Sequence, residues 1–84
     1  MGCNRGASSV QGHITGVQAQ GILEWDSLSL RDSKGRSYTF VRGEEIDLRF
    51  WRASHLREHM NSAEAVTVNY KRAGKDLVAI AISD

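Results

Sequence analysis

Residues 28–40 read LSLRDSKGRSYTF, and this stretch decides the fold. Leu28 and Leu30 alternate with polar residues before the central turn, and Tyr38 and Phe40 alternate with polar residues after it. Alternation with a period of two is typical of a strand with one buried face. The glycine in the polar segment between the two runs favours a tight hairpin, because glycine adopts positive φ at little steric cost. We therefore predict a hairpin in which the two aromatic residues lie opposite the two leucines.

Further strands are predicted on both sides of this hairpin. Apolar and polar residues alternate in each of them, and glycine-containing turns separate them. In the last strand, Val78, Ile80 and Ile82 are expected to face one way, with the small Ala79 and Ala81 on the other face. The predicted strands are 10–18, 22–32, 37–42, 66–71 and 77–83.

One short helix is predicted between the third and fourth strands. Ser54 can cap its start by accepting a backbone N–H hydrogen bond, and the helix is expected to end near Asn61. Leu56 and Met60 are four residues apart, so they would form one apolar face against the strands. Residues 43–53 are interpreted as an irregular crossing that could include a short edge strand.

This order of elements predicts a mainly β protein, a small five-stranded OB-like barrel with one short helix between strands 3 and 4. An SH3-like barrel is the structural alternative. Residues 1–9 are predicted to be a flexible N-terminal lead-in, and residues 10–84 a single β-barrel domain.

The composition excludes several classes of protein. The chain has 84 residues, of which 40% are apolar and 25% charged, as in an ordinary globular domain with a thin core. A net charge of +1 gives no general electrostatic attraction to nucleic acid or to acidic membranes. One cysteine cannot form an internal disulfide, so the fold does not depend on disulfides.

The cysteine lies near the start, in the dipeptide Gly2-Cys3. A small residue before a cysteine resembles the end of a bacterial lipobox, in which the cysteine becomes lipidated. Cys3 is therefore a candidate lipidation site. The alternative is an incidental exposed thiol.

Four short motifs resemble a group of small, uncharacterised bacterial exported lipoproteins. They are SHLREHM at 54–60, VTVNY at 66–70, LVA at 77–79 and SYTF at 37–40. The resemblance covers residues 10–84 and implies an OB-like barrel, export, and a signal peptide upstream of a lipidated cysteine, which Cys3 would match. It implies an extracytoplasmic, membrane-anchored location, with a cytoplasmic one as the alternative. It transfers no catalytic residues.

His55 and His59 are candidate metal ligands. Residues four apart share one face of a helix, as some metal sites require. Glu58 lies beside that face, and His13 on the first strand is a distant candidate for a third ligand. The simpler interpretation is two partly exposed histidines that pack and hydrogen-bond on the helix surface, and we expect no cofactor.

Aromatic and basic residues provide a second candidate site. Tyr38, Phe40 and Tyr70 lie on the apolar phase of their strands and are predicted to be in the core. Trp25 and Trp51 are therefore the aromatic residues free to stack on bases or sugars. The predicted binding surface consists of Phe50, Trp51, Arg52, His55 and His59. For Trp51, the alternative is that it closes one end of the barrel.

We predict a non-enzymatic binding or structural module, tethered to the bacterial cell envelope. The module is expected to act as a monomer and to bind a protein or an envelope component. We expect it to contact the membrane only through a lipid at Cys3. The alternatives are an oligonucleotide-binding OB module and a metal-binding domain that uses the helix histidines. Catalysis is not predicted, because no nucleophile, base and orienting group converge.

Overall fold

The computed structural model describes residues 8–84. Residues 1–7, with most of the predicted lead-in and the candidate lipidation site Cys3, lie outside the described residues. Within the described part, no helix is both long enough and apolar enough to cross a membrane. The elements are β1 (Ser8–Ala19), β2 (Trp25–Asp32), β3 (Ser37–Arg42), α1 (Ala53–Ser62), β4 (Ala65–Ala73) and β5 (Asp76–Ser83).

The strands close into a barrel in the order β1-β2-β3-β5-β4. β4 pairs with β1 to complete the ring, and β3 pairs with β5 in parallel while the other neighbours are antiparallel. α1 lies between β3 and β4 in the chain. The prediction of a mainly β, five-stranded barrel with one short helix between strands 3 and 4 is confirmed.

In the hairpin formed by β2 and β3, the two aromatic residues lie opposite the two leucines, as predicted. Leu28 pairs with Phe40, and Leu30 pairs with Tyr38. Leu28, Leu30 and Phe40 are fully buried, and Tyr38 packs against the core from a half-buried position. Gly35 in the turn has a φ of 83°, the left-handed conformation that glycine favours. The hairpin therefore supplies much of the barrel core.

The predicted face of β5 is wrong at Ala79. Ala79 and Ile82 are buried, whereas Ile80 is half-buried. The cause is a bulge, because Asn69 of β4 pairs with Ala81 and the next residue of β4 pairs with Ala79. An extra residue in one strand changes which side chains face inward on either side of it.

The N-cap position lies two residues earlier than predicted, and Ser54 does not cap the helix. Arg52 is the N-cap residue and provides no side-chain cap. The first two backbone N–H groups, of Ala53 and Ser54, instead donate at 3.0 Å to carbonyl groups of the β1–β2 loop. The tertiary contact thus replaces the capping side chain. The predicted apolar face is confirmed, because Leu56 is buried and Met60 packs against the core.

Residues 43–52 cross from β3 to α1 through turns and contain no strand. This crossing segment places Ile46 and Trp51 in the core. Gly43 N–H donates to the carbonyl oxygen of Ala79 at 2.9 Å, which fixes the start of the segment against β5.

Gly12 allows β1 and β2 to approach closely. A Cβ atom there would lie 2.3 Å from the carbonyl oxygen of Arg31, whereas a Cβ atom at Gly16 would meet nothing nearer than Ser29 Cβ at 3.8 Å. We expect Gly12→Ala to lower the free energy of unfolding by about 1–3 kcal/mol, as an overpacked site does. Gly16→Ala is the matched control and should change it by less than about 1 kcal/mol. Urea denaturation measures both, and equal effects would contradict the close approach.

The side chain of Asp32 organises the β2–β3 turn. Its carboxylate accepts hydrogen bonds from the backbone N–H groups of Arg36 at 2.9 Å and Lys34 at 3.0 Å, and from the Tyr38 hydroxyl at 3.3 Å. These hydrogen bonds, of which the one from the Arg36 N–H has the largest effect, hold the pKa of Asp32 below its ordinary value. Partial burial of the carboxylate raises the pKa and so offsets part of this effect.

This lowered pKa predicts a pH-dependent contribution to stability. Because protonation is less favourable in the folded state, the contribution is complete above the unfolded pKa of about 4 and is lost as the pH falls through the folded pKa. We expect the stability advantage of the wild type over Asp32→Asn to be constant near pH 7 and to shrink below about pH 4. Thermal unfolding from pH 7 to 2 tests this. Asp26, an exposed carboxylate outside the turn, provides the control. If the stability advantage of the wild type over Asp26→Asn shrinks similarly at low pH, the turn is not responsible.

Candidate functional site

Four ring side chains from the crossing segment and α1 pack together. We call Phe50, Trp51, His55 and His59 the aromatic-histidine cluster. Trp51 and His55 stack with centroids 4.8 Å apart and planes 4° apart. Phe50 stands edge-on to both of these rings, with centroids 4.9 Å away. His59 lies 4.9 Å from His55 and 5.8 Å from Trp51. The structure thus brings together the predicted surface residues other than Arg52, which is exposed beside the cluster.

A buried hydrogen bond holds this cluster to the barrel. The indole Nε1 of Trp25 donates to the Trp51 carbonyl oxygen at 2.8 Å. The Trp25 carbonyl oxygen in turn accepts from Arg42 Nε at 2.8 Å. Trp25 is fully buried at the start of β2, so its position is fixed by the core. The crossing segment, which lacks a strand ladder, is therefore anchored by a side chain from β2.

The prediction that Trp25 and Trp51 are free to stack on a ligand is wrong. Trp25 is 0% exposed and Trp51 is 6% exposed, because both rings fill the thin core. The alternative that Trp51 closes one end of the barrel stays a prediction. Phe50 is the aromatic ring that remains open, with 51% of its surface exposed. As predicted, Phe40 is buried and Tyr38 and Tyr70 pack against the core.

His59 is buried, which corrects the interpretation of both histidines as partly exposed. It is 6% exposed, whereas His55 is half-buried. Its Nε2 lies 3.2 Å from His55 Nε2 and 3.4 Å from Asp84 Oδ2. Its Nδ1 lies 3.1 Å from Glu64 Oε1, yet the two are not aligned for a hydrogen bond and Nδ1 has no hydrogen-bond partner among the described residues. The imidazole thus has a carboxylate near each nitrogen.

The tautomer of His55 follows from its backbone contact. His55 Nδ1 lies 2.6 Å from the carbonyl oxygen of Phe50. A carbonyl oxygen only accepts hydrogen bonds, so Nδ1 carries the proton. In the neutral ring, Nε2 then carries the lone pair, so it accepts the 3.2 Å hydrogen bond from His59 Nε2.

Asp84 joins the histidines, and His13 does not. One ligand atom each from His55, His59 and Asp84 lie within 4.8 Å of one another. His13 is exposed on β1, and neither it nor Glu58 belongs to this group. Sequence spacing could not identify Asp84, because it follows β5, far from the helix in the chain. The topology does identify it, since the end of β5 pairs with the start of β4, which follows α1 directly.

A second feature is an exposed apolar face at the start of α1. We call Ile22, Leu23, Phe50 and Arg52 the helix-start face. Ile22 and Leu23 are 72% and 48% exposed. Their carbonyl groups accept the hydrogen bonds from the first two N–H groups of α1, which places this loop beside the segment that carries Phe50. Because Ile22 and Leu23 were predicted to lie in a strand, this exposed face was not predicted.

Arginines reinforce the same region. Arg57 donates to the Gly21 carbonyl oxygen at 3.3 Å, and Arg52 donates to the Arg49 carbonyl oxygen. The first contact joins α1 to the β1–β2 loop, and the second lies within the crossing segment.

The resemblance to bacterial exported lipoproteins stays a prediction, because comparison of the chain with protein-family models, curated proteins and solved structures gives no match.

Proposed function

We propose that this chain is a non-enzymatic binding module that recognises a protein through the helix-start face. The observation that carries the proposal is the position of Phe50, whose ring is half exposed and held edge-on by Trp51 and His55. An aromatic side chain that is already ordered before binding loses little conformational entropy on binding. Large aromatic residues and arginine are also common among the residues that contribute most to protein interfaces.

The residues around Phe50 favour one kind of partner. Ile22 and Leu23 extend the apolar surface, and Arg49 and Arg52 are exposed beside it. A protein segment with an apolar side chain between carboxylates would complement this surface. Burial of the tryptophans argues against an oligonucleotide partner, because stacking of successive bases needs several open aromatic rings.

We also propose that the barrel is of the OB type and not the SH3-like type. The helix between β3 and β4 and the parallel pairing of β3 with β5 support this assignment. The proposal of a protein partner does not depend on it, since folds of this kind serve many functions.

We further propose that the module is tethered to the bacterial cell envelope by a lipid on Cys3. The support is the Gly2-Cys3 dipeptide and the resemblance of the barrel motifs to exported lipoproteins. A tether at the amino end would leave the barrel free to present the helix-start face to an envelope protein.

Photo-crosslinking can test the protein partner. We expect p-benzoyl-phenylalanine at position 50, introduced into the native protein in its own cells, to give one discrete crosslinked product. Position 41 is the matched control, because Val41 is 40% exposed and lies on β3. After the product has been identified and purified, Phe50→Ala should weaken its binding by about 30-fold, as loss of an interface hot spot does. Val41→Ala should change its affinity less than about threefold.

Three results would overturn this proposal. The first is the absence of a discrete product at position 50, and the second is the same product at position 41. The third is a purified partner that binds Phe50→Ala as tightly as it binds the wild type. A crosslink alone does not support the proposal without the affinity loss.

The tether is tested separately by metabolic labelling with an alkyne fatty acid. We expect the product of the natural gene to incorporate the label and to partition into the detergent phase, because acyl chains favour an apolar environment. Cys3→Ser should do neither. Labelling that persists in Cys3→Ser, or a wild type without label, contradicts the tether and leaves the partner experiment unaffected.

A further inference from the structure

We infer that His55, His59 and Asp84 form a binding site for one Zn²⁺ ion. The inference goes beyond the proposed protein-binding function and does not rest on it. The site lies at the junction of α1 and the end of β5, two elements that the barrel topology brings together.

The spacing of the candidate ligands fits a small tetrahedral ion. Zinc binds imidazole nitrogen and carboxylate oxygen at about 2.0–2.2 Å, so neighbouring ligands of a tetrahedral site lie about 3.3 Å apart. The His59 Nε2 atom lies 3.2 Å from His55 Nε2 and 3.4 Å from Asp84 Oδ2. The side chain of Asp84 is 50% exposed, so its carboxylate is free to approach His55.

The groups behind the ligands point to the same arrangement. His55 donates its Nδ1 proton to the Phe50 carbonyl oxygen, a contact that commonly orients histidine on zinc. Glu64 Oε1 is 3.1 Å from His59 Nδ1, and because its side chain is 64% exposed, it can rotate into line with that N–H group. Both Nε2 lone pairs then face each other and the Asp84 carboxylate.

Without an ion, neutral His59 carries its proton on Nε2 and donates it to His55 Nε2 at 3.2 Å. An ion between the ligands would replace that proton, which then moves to Nδ1 beside Glu64. Two imidazoles and a carboxylate suit zinc better than magnesium or calcium, which prefer sites made entirely of oxygen ligands. The Trp51 ring stacks on His55 and holds that imidazole in place beside the site.

Calorimetric titration with ZnSO₄ tests the site. All variants carry Cys3→Ser, because a free thiol also binds zinc. We expect one Zn²⁺ per chain, and a rise in melting temperature of about 10 °C or more when free zinc is about 100 times its dissociation constant. Mg²⁺ and Ca²⁺ should produce neither effect, and Co²⁺ should give the strong visible bands of a four-coordinate ion.

The variants assign the ligands. His55→Ala and Asp84→Asn should weaken zinc binding at least about 100-fold, and Glu64→Gln about 10-fold, because it removes only the group behind His59. His13→Ala is the matched control for incidental histidine binding and should leave the affinity unchanged, since His13 is exposed on β1. These variants change half-buried or exposed side chains, and their unfolding curves without zinc verify that the barrel is folded.

Absence of saturable zinc binding to the folded protein would overturn the site. Binding that survives both His55→Ala and Asp84→Asn would also overturn it, because the ion would then be adventitious. Binding that requires His55 but not Asp84 would refute the three-ligand arrangement.

Discussion

The parallel pairing of β3 with β5 closes the barrel, and the position of the candidate site depends on it. The contact is short, with pairs at Phe40 and Leu77, Val41 and Val78, and Arg42 and Ala79. The hydrogen bond from Gly43 to Ala79 extends it by one residue, where a Cβ atom would lie 2.3 Å from the same carbonyl oxygen. A side chain at position 43 would therefore push β5 away. Closure fixes both where the chain leaves β3 toward α1, which carries His55 and His59, and where β5 ends just before Asp84.

One series of contacts leads from the barrel core to the histidines. Trp25 is held in the core and fixes Trp51 by a buried hydrogen bond. Trp51 stacks on His55, and His55 faces His59. These contacts connect β2 to the crossing segment and the crossing segment to α1. The crossing segment can consequently present Phe50 to solvent in a fixed orientation, although no strand includes it.

The sequence was most informative where the signal is local. Alternation and a glycine turn predicted that Tyr38 and Phe40 lie opposite Leu28 and Leu30, and a spacing of four placed Leu56 and Met60 on one helix face. It failed where the cause is nonlocal. Ser54 looked like a cap, but loop carbonyl groups from residues 22 and 23 accept the N–H groups at the helix start. Which side chains of β5 face inward depends on a bulge in its pairing with β4, and the alternation of residues along β5 does not indicate that bulge.

The difference between local and nonlocal signals also explains which parts of the candidate site could be predicted. Spacing placed His55 and His59 together but could not show that His59 is buried or that Asp84 is its neighbour. A core this thin would gain more from a leucine at position 59, because burial of a polar imidazole costs free energy unless its nitrogens are satisfied. His59 instead lies among His55, Glu64 and Asp84. In folded proteins, a local choice that conflicts with packing commonly marks a functional position. The buried histidine is that conflict in this barrel, and a bound cation would resolve it.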